Sequence, residues 1–115
     1  MKIKETTQWT TICKQSDLSP NAGICVLFNK QQVAIFYCQR SDTVYAVNNF
    51  DPFGQANVLS RGIMGSTQET TYVASPLYKQ RFNLLTGACL DSPVHSLKNY
   101  PIRVANDEVQ LKDVV

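Results

Sequence analysis

The sequence predicts an all-β protein of about ten short strands packed in two or three sheets. Apolar runs of strand length, rich in β-branched and aromatic residues, alternate with short polar breaks along the chain. No stretch keeps the helical period of apolar residues for more than two turns. With 115 residues, the chain is one domain of ordinary size that can bury a core, and we assign residues 1–115 to it.

The strands predicted in the first half form one short strand and a β-meander. Residues 1–8 are polar and are expected to form only a mobile start or a short edge strand. Residues 9–13 contain β-branched and aromatic side chains that favour a strand, and residues 16–20 carry turn chemistry that favours one short helical turn. Three apolar runs with brief polar connections then predict the meander, at residues 24–28, 32–38 and 43–47.

The second half begins irregularly and ends in two hairpins. Residues 48–71 are punctuated by glycines and predict only one short turn, at residues 57–61. Residues 72–74 predict a strand that enters a loop. The hairpins pair residues 81–83 with 88–90 across Thr86 and Gly87, and residues 100–104 with 108–111 around Asn106 and Asp107.

Composition excludes several classes of function. The net charge of +2 is spread along the chain, and no basic cluster has interleaved aromatic residues, which argues against nucleic-acid binding. No apolar run reaches the length of a membrane span. The first six residues carry charge without an apolar region behind them, unlike a signal peptide. We therefore expect a cytoplasmic protein.

The four cysteines are predicted to be reduced thiols. Cys13, Cys25, Cys38 and Cys89 contain no Cys-x-x-Cys pair, and a zinc or cluster site built from them would need closer spacing. Without an export signal, a reducing compartment is expected. Cys25, Cys38 and Cys89 lie in apolar runs, so we expect them to be buried as small hydrophobic side chains.

Two Pro-anchored loops, residues 49–54 and 75–82, resemble the paired loops of a Rieske domain. In that family each loop offers a Cys and a His to one [2Fe–2S] cluster. The four ligand positions fall here on Asp51, Phe53, Ser75 and Tyr78, and none is Cys or His. The resemblance covers most of residues 9–111. It implies a Rieske-like antiparallel β-sandwich with a degenerate cluster-binding subdomain at about residues 48–90.

One branch of that family fits best, because both loops have changed in the way typical of it. The chain resembles the small subunits of the cytoplasmic assimilatory NAD(P)H nitrite reductases, in residues 9–13, 49–53 and 75–82. The resemblance implies a non-catalytic subunit with no cofactor of its own. Its partner would be the large catalytic subunit, carrying FAD, a [4Fe–4S] cluster and sirohaem and reducing nitrite to ammonium for nitrate assimilation.

The four ligand positions are poor iron ligands in this chain. Phe53 has no lone pair, the hydroxyls of Ser75 and Tyr78 are largely protonated at neutral pH, and the single carboxylate of Asp51 does not hold a cluster. We expect Asp51 and Ser75 to start turns before their prolines. We also expect Phe53 and Tyr78 to touch across the two loops, which adds about 0.5–1.5 kcal/mol beyond burial.

The loop end is the predicted partner-binding surface. It combines apolar and aromatic side chains with a basic rim, the composition of an interface centre, and comprises Phe50, Phe53, Leu77, Tyr78, Lys79 and Arg81. In the alternative, Phe53 and Tyr78 turn inward and only fill the former cluster site. We identify no catalytic, cofactor-binding or metal-binding residues, and expect His95 to be a surface residue.

Two other functions remain open from the sequence. One is a Rieske-type electron-transfer ferredoxin of a dioxygenase system, which would require Cys and His at positions 51, 53, 75 and 78. The other is a stand-alone Rieske-like module that binds or regulates without a reductase partner. Fold alone does not separate the second from a reductase subunit.

Overall fold

The computed structural model describes residues 8–113 and confirms the all-β prediction. The strands follow in chain order as β1 (Thr10–Lys14), β2 (Ala22–Phe28), β3 (Gln31–Cys38), β4 (Thr43–Asn48), β5 (Phe50–Asp51), β6 (Ala56–Asn57), β7 (Ile63–Thr67), β8 (Thr70–Ala74), β9 (Arg81–Asn83), β10 (Ile102–Ala105) and β11 (Glu108–Leu111). Two single-turn 3-10 helices, Gln15–Asp17 and Leu59–Arg61, lie between strands. Within residues 8–113, no helix is long and apolar enough to cross a membrane.

The strands pair antiparallel in three sheets of three strands and one two-stranded ribbon. The sheets have the orders β1-β11-β10, β2-β3-β4 and β7-β8-β9, and the ribbon pairs β5 with β6. The predicted meander is therefore the β2-β3-β4 sheet. The predicted closing hairpin is β10-β11, whose turn residues Asn106 and Asp107 both have positive φ, at 54° and 65°.

The β2-β3-β4 sheet is the middle layer, because β3 is buried on both faces. Successive side chains of a strand point to opposite faces. Val33 and Ile35 pack in a base cluster with side chains of β11, whereas Ala34 and Phe36 pack in a loop-side cluster with side chains of β8 and β9. All four are fully buried. A strand covered on both faces explains why this run is continuously apolar instead of alternating.

The sequence missed one strand of regular length. Residues 48–71 were expected to be irregular, but Ile63–Thr67 forms β7 and pairs along its whole length with β8. Gly65 interrupts the short run, and the two ends of the run are exposed, so the sequence shows no clear strand pattern there.

Residues 1–7 and 114–115 lie outside the described residues, and with them most of the predicted polar start. The subdomain boundary at about residues 48–90 stays a prediction.

The predicted cysteine burial is correct at two positions and wrong at one. All four thiols are free, and Cys38 and Cys89 are buried. Cys25 is exposed. It lies on β2, an edge strand of the middle sheet.

Candidate functional site

The first loop is a five-residue turn, residues 51–55, in which both the carbonyl and the side chain of Asp51 accept hydrogen bonds from the backbone. The backbone N–H of Gln55 donates to the Asp51 carbonyl at 2.7 Å, and the N–H of Phe53 donates to Asp51 Oδ1 at 2.9 Å. Gln55 ends the turn in the left-handed region, with a φ of 54°. A short acid before a proline favours this turn, because its side chain can accept a bond from the backbone two residues on.

The second loop, residues 75–79, repeats the construction with a hydroxyl instead of a carboxylate. The N–H of Lys79 donates to the Ser75 carbonyl at 3.0 Å, and the N–H of Leu77 donates to Ser75 Oγ at 3.2 Å. Lys79 ends this turn with a φ of 66°. Asp51 and Ser75 therefore start their turns as the sequence predicts.

The residues that start the two turns also bind each other. Ser75 Oγ donates to Asp51 Oδ2 at 2.5 Å, and Ser75 is 1% and Asp51 0% exposed. A Cβ atom on Gly54 would lie 2.4 Å from Leu77 Cδ1, so the second loop packs directly on the first. The loops are thus adjacent, as predicted, but the sequence did not reveal this bond.

Phe53 and Tyr78 do not form the predicted contact across the loops. The Phe53 ring packs instead against Phe82, with centroids 6.1 Å apart, and against His95, with centroids 4.4 Å apart. Tyr78 is 63% exposed. Phe53 turns inward because it joins the loop-side cluster, whose fully buried Phe82 lies beneath it.

A third loop, residues 91–95, completes this end of the molecule. Asp91 anchors it by accepting bonds from the Arg81 backbone N–H and guanidinium, each at 2.8 Å. The hydrogen bond from Arg81 lowers the pKa of the Asp91 carboxyl below its usual value. His95 is half-buried between Phe53 and Ser92 Oγ, which lies 3.4 Å from His95 Nδ1.

His95 was expected to be a surface residue, and sequence reasoning missed its place beside the former ligand position. Nothing in the local pattern of residues 91–95 could indicate a contact with a residue so distant in sequence. The bridge between Phe82 and Cys89 returns the chain to the loop end and brings His95 there. Val94, beside it, is exposed and adds an apolar side chain to this end.

The six side chains predicted to bind a partner divide into two groups. Four are exposed: Phe50 (42%), Leu77 (47%), Tyr78 (63%) and Lys79. The other two, Phe53 and Arg81, are half-buried. The Arg81 guanidinium binds Asp91 and also lies over the Tyr72 ring, 5.6 Å from its centroid.

The donor set at the four Rieske ligand positions does not fit a [2Fe–2S] cluster. Such a centre takes two Cys thiolates and two His nitrogens. Here Asp51 and Ser75 are buried and bonded to each other, Phe53 offers no lone pair, and Tyr78 is exposed. In the part of the chain that the structure describes, no group of three or more His, Cys, Asp or Glu residues could hold a metal ion.

Comparison with known proteins gives a consistent result over nearly the whole chain. A family model for the Rieske-like [2Fe–2S] domain matches residues 8–112. The nitrite reductase (NADH) small subunit of Salmonella typhimurium is 47% identical over 106 residues, covering 92% of this chain and 98% of that protein. The crystal structure of a putative NADH-dependent nitrite reductase small subunit from Mycobacterium tuberculosis superposes with a TM-score of 0.88 at 42% identity, covering 94% of this chain and 96% of that one.

Two further similarities bear on the alternatives. The nitrite reductase [NAD(P)H] large subunit of Klebsiella oxytoca is 38% identical over 101 residues, which are 88% of this chain but only 10% of that protein. A naphthalene dioxygenase and salicylate hydroxylase ferredoxin component from Ralstonia sp. is 27% identical over 108 residues. The ferredoxin alternative therefore rests on distant relatives only.

The comparisons correct one prediction. The sequence reading gave this chain no cofactor and placed FAD, a [4Fe–4S] cluster and sirohaem on a partner. That reading is contradicted, because the matching family is one of [2Fe–2S] domains and its relatives point to a Rieske-type cluster. The family and the donor set of this chain therefore disagree.

Proposed function

We propose that the chain is the small subunit of an NAD(P)H-dependent nitrite reductase. It belongs to the Rieske-like [2Fe–2S] domain family and, within that family, to the nitrite reductase small subunits. The observation that carries this proposal is the match over 98% of the length of a small subunit at 47% identity. In this function the chain binds the large catalytic subunit of the enzyme that converts nitrite to ammonium.

The similarity to part of a large subunit supports the choice of partner. In Klebsiella oxytoca the matching region lies within the large-subunit chain itself. A domain that is joined to an enzyme in one organism and is separate in another is expected to pack against the same enzyme in both. This observation favours a reductase subunit over a stand-alone regulatory module, for which no partner is needed.

The loop end is the docking surface in this proposal. Phe50, Leu77 and Tyr78 expose apolar area there, and Lys79 is an exposed cation beside them. Centres of protein interfaces are enriched in aromatic side chains, and a few of these carry most of the binding energy. Phe53 contributes from beneath, and Arg81 from the rim, where Asp91 holds it.

The contribution assigned to this chain is binding, and we assign it no catalytic residue. The side chains at the loop end can cover a partner surface and fix an orientation. We place the protein in the cytoplasm, in nitrate assimilation, with no nucleic acid or membrane as partner. Its four free thiols are compatible with a reducing compartment.

The proposal is tested by capturing the partner and then weakening the surface. The protein should retain a large nitrite reductase subunit from extracts of its native source, identified by mass spectrometry. Replacing Leu77 and Tyr78 together by Ala should weaken the affinity for the purified large subunit by about 2 kcal/mol, or roughly thirtyfold. The affinity is measured by calorimetric titration.

Leu85→Ala is the matched control. Leu85 is an apolar side chain of similar exposure, 69%, but it lies in the hairpin at the opposite end of β9. Its replacement should leave the affinity unchanged. If the double variant binds as tightly as the wild type, docking uses another face; if no large subunit is captured or bound, the proposed function is wrong.

A further inference from the structure

The two loops of the docking end are joined by a single continuous chain of hydrogen bonds. The Phe53 N–H donates to Asp51 Oδ1, the Ser75 hydroxyl donates to Asp51 Oδ2, and the Leu77 N–H donates to Ser75 Oγ. The three donor–acceptor distances are 2.9, 2.5 and 3.2 Å. We propose that Asp51 and Ser75 are positioning residues that set the docking surface for the large subunit; this inference rests on the proposed function.

Backbone bonds alone do not fix one loop relative to the other. The bonds of Gln55 to Asp51 and of Lys79 to Ser75 each close a turn on itself. Only side chains link the loops: the hydrogen bond of Ser75 to Asp51, and the packing of Leu77 on Gly54 above it. The bond therefore acts together with this packing to set where Leu77, an exposed docking side chain, lies relative to the first loop.

Burial makes this bond an effective positioning device. Water cannot replace either partner, because Asp51 and Ser75 are almost completely excluded from solvent. In such surroundings a hydrogen bond is electrostatically stronger than in water, and one to a carboxylate is stronger than one between neutral groups. Loops at the surface are otherwise the most mobile parts of a domain.

The same two positions are among the four at which the family and the donor set of this chain disagree. By resemblance, Asp51 and Ser75 occupy positions where a Rieske domain carries cluster ligands, so that a metal centre would join the loops. Here one side chain from each loop meets the other directly. The cross-link between the loops is kept, and its chemistry is a hydrogen bond.

Three variants test the inference on the intact chain. Ser75→Ala removes the bond, Ser75→Thr keeps the hydroxyl, and Asp51→Asn keeps the shape while replacing a charge-assisted bond by a weaker neutral one. Thr86→Ala is the control, because Thr86 Oγ1 accepts the Ala88 N–H at 3.2 Å in the turn at the opposite end of β9. Each variant is first checked for folding by circular dichroism.

Two measurements are made on every variant. Amide hydrogen exchange of Phe53 and Leu77 reports on the loops in the free protein, and calorimetric titration reports the affinity for the large subunit. Ser75→Ala loses one buried bond. It should therefore raise the exchange rates of the two amides about tenfold and weaken the affinity for the large subunit about tenfold. Asp51→Asn should shift both in the same direction by less, whereas Ser75→Thr and Thr86→Ala should match the wild type.

The outcomes separate this inference from the proposed function. If Ser75→Ala binds and exchanges like the wild type while the Leu77 and Tyr78 double variant binds weakly, the inference is wrong and the docking surface stands. If exchange rises but the affinity does not change, Asp51 and Ser75 stabilise the loops only and the inference is again overturned. If Ser75→Ala does not fold, Asp51→Asn takes its place. Exchange rates and an affinity equal to those of the wild type in Asp51→Asn would then overturn the inference.

Discussion

The two turns of the loop end and the turn at the far end of β9 share one backbone design but differ in burial. In residues 83–87 the Gly87 N–H donates to the Asn83 carbonyl at 2.7 Å, and the Leu85 N–H donates to Asn83 Oδ1 at 2.8 Å. Asn83 is only half-buried, and these bonds stay within its own turn. Asp51 and Ser75 are fully buried and bind each other. The local sequence therefore determines whether a turn closes. Burial of the residue that starts the turn determines whether its side chain also binds a second turn.

The largest expected effect is on stability, when the glycine of the far turn and the glycine of the first loop are each replaced by Ala. A Cβ atom on Gly87 would lie 2.0 Å from the backbone oxygen of Leu97, and its φ is 84°. Gly87→Ala should therefore lower the free energy of unfolding by about 3 kcal/mol. A Cβ atom on Gly54 would meet side chains instead, the flexible end of Leu77 at 2.4 Å and Asp51 Oδ2 at 3.1 Å, so Gly54→Ala should cost about 1 kcal/mol. Urea denaturation measures both, and equal losses would contradict the distinction between backbone and side-chain crowding.

A smaller effect is expected when the hydroxyls of the two ends are compared. Ser75→Ala leaves a buried oxygen of Asp51 without its donor and should lower the free energy of unfolding by about 2 kcal/mol. Thr86→Ala removes an exposed hydroxyl that accepts only the Ala88 N–H, and should cost about 0.5 kcal/mol. The comparison fails if the two variants have the same denaturation midpoint in urea.

The smallest effect concerns the ion pair that anchors the third loop. The hydrogen bond from Arg81 lowers the folded-state pKa of Asp91, so its contribution to stability is complete above the usual aspartate pKa of about 4. That contribution is lost as the pH falls through the lowered pKa. Both side chains are more than one-third exposed, so solvent screens the effect. The Arg81 amide resonance should titrate in this range in the wild type and not in Asp91→Asn.

The sequence predicted the sheets well because their signals are local. The meander and the closing hairpin follow from apolar runs bounded by turn residues, and their observed bounds differ from the prediction by two residues or fewer. Strand β7 was not predicted, because a short run with Gly65 at its centre shows little periodicity of apolar residues. Its pairing with β8 comes from tertiary contact, which propensity alone does not encode.

At the candidate site, the sequence located the loops but not the contacts that join them. The pattern of a short polar residue before proline, at Asp51 and again at Ser75, predicted two turns of the same kind. Which partner each buried side chain then finds depends on how the loops pack, so the predicted contact of Phe53 with Tyr78 was wrong. The place of His95 depends on the path of the chain after β9 and leaves no local signal.

The double burial of β3 has a consequence for how the subunit meets its partner. Because β3 supplies side chains to both the base cluster and the loop-side cluster, unfolding of this strand disrupts both clusters. The described part of the chain should therefore unfold as one cooperative unit instead of as separate foldons. If the loop end docks the partner as proposed, a surface built on such a unit is preorganised before encounter, and little of the binding free energy is then spent on ordering the loops.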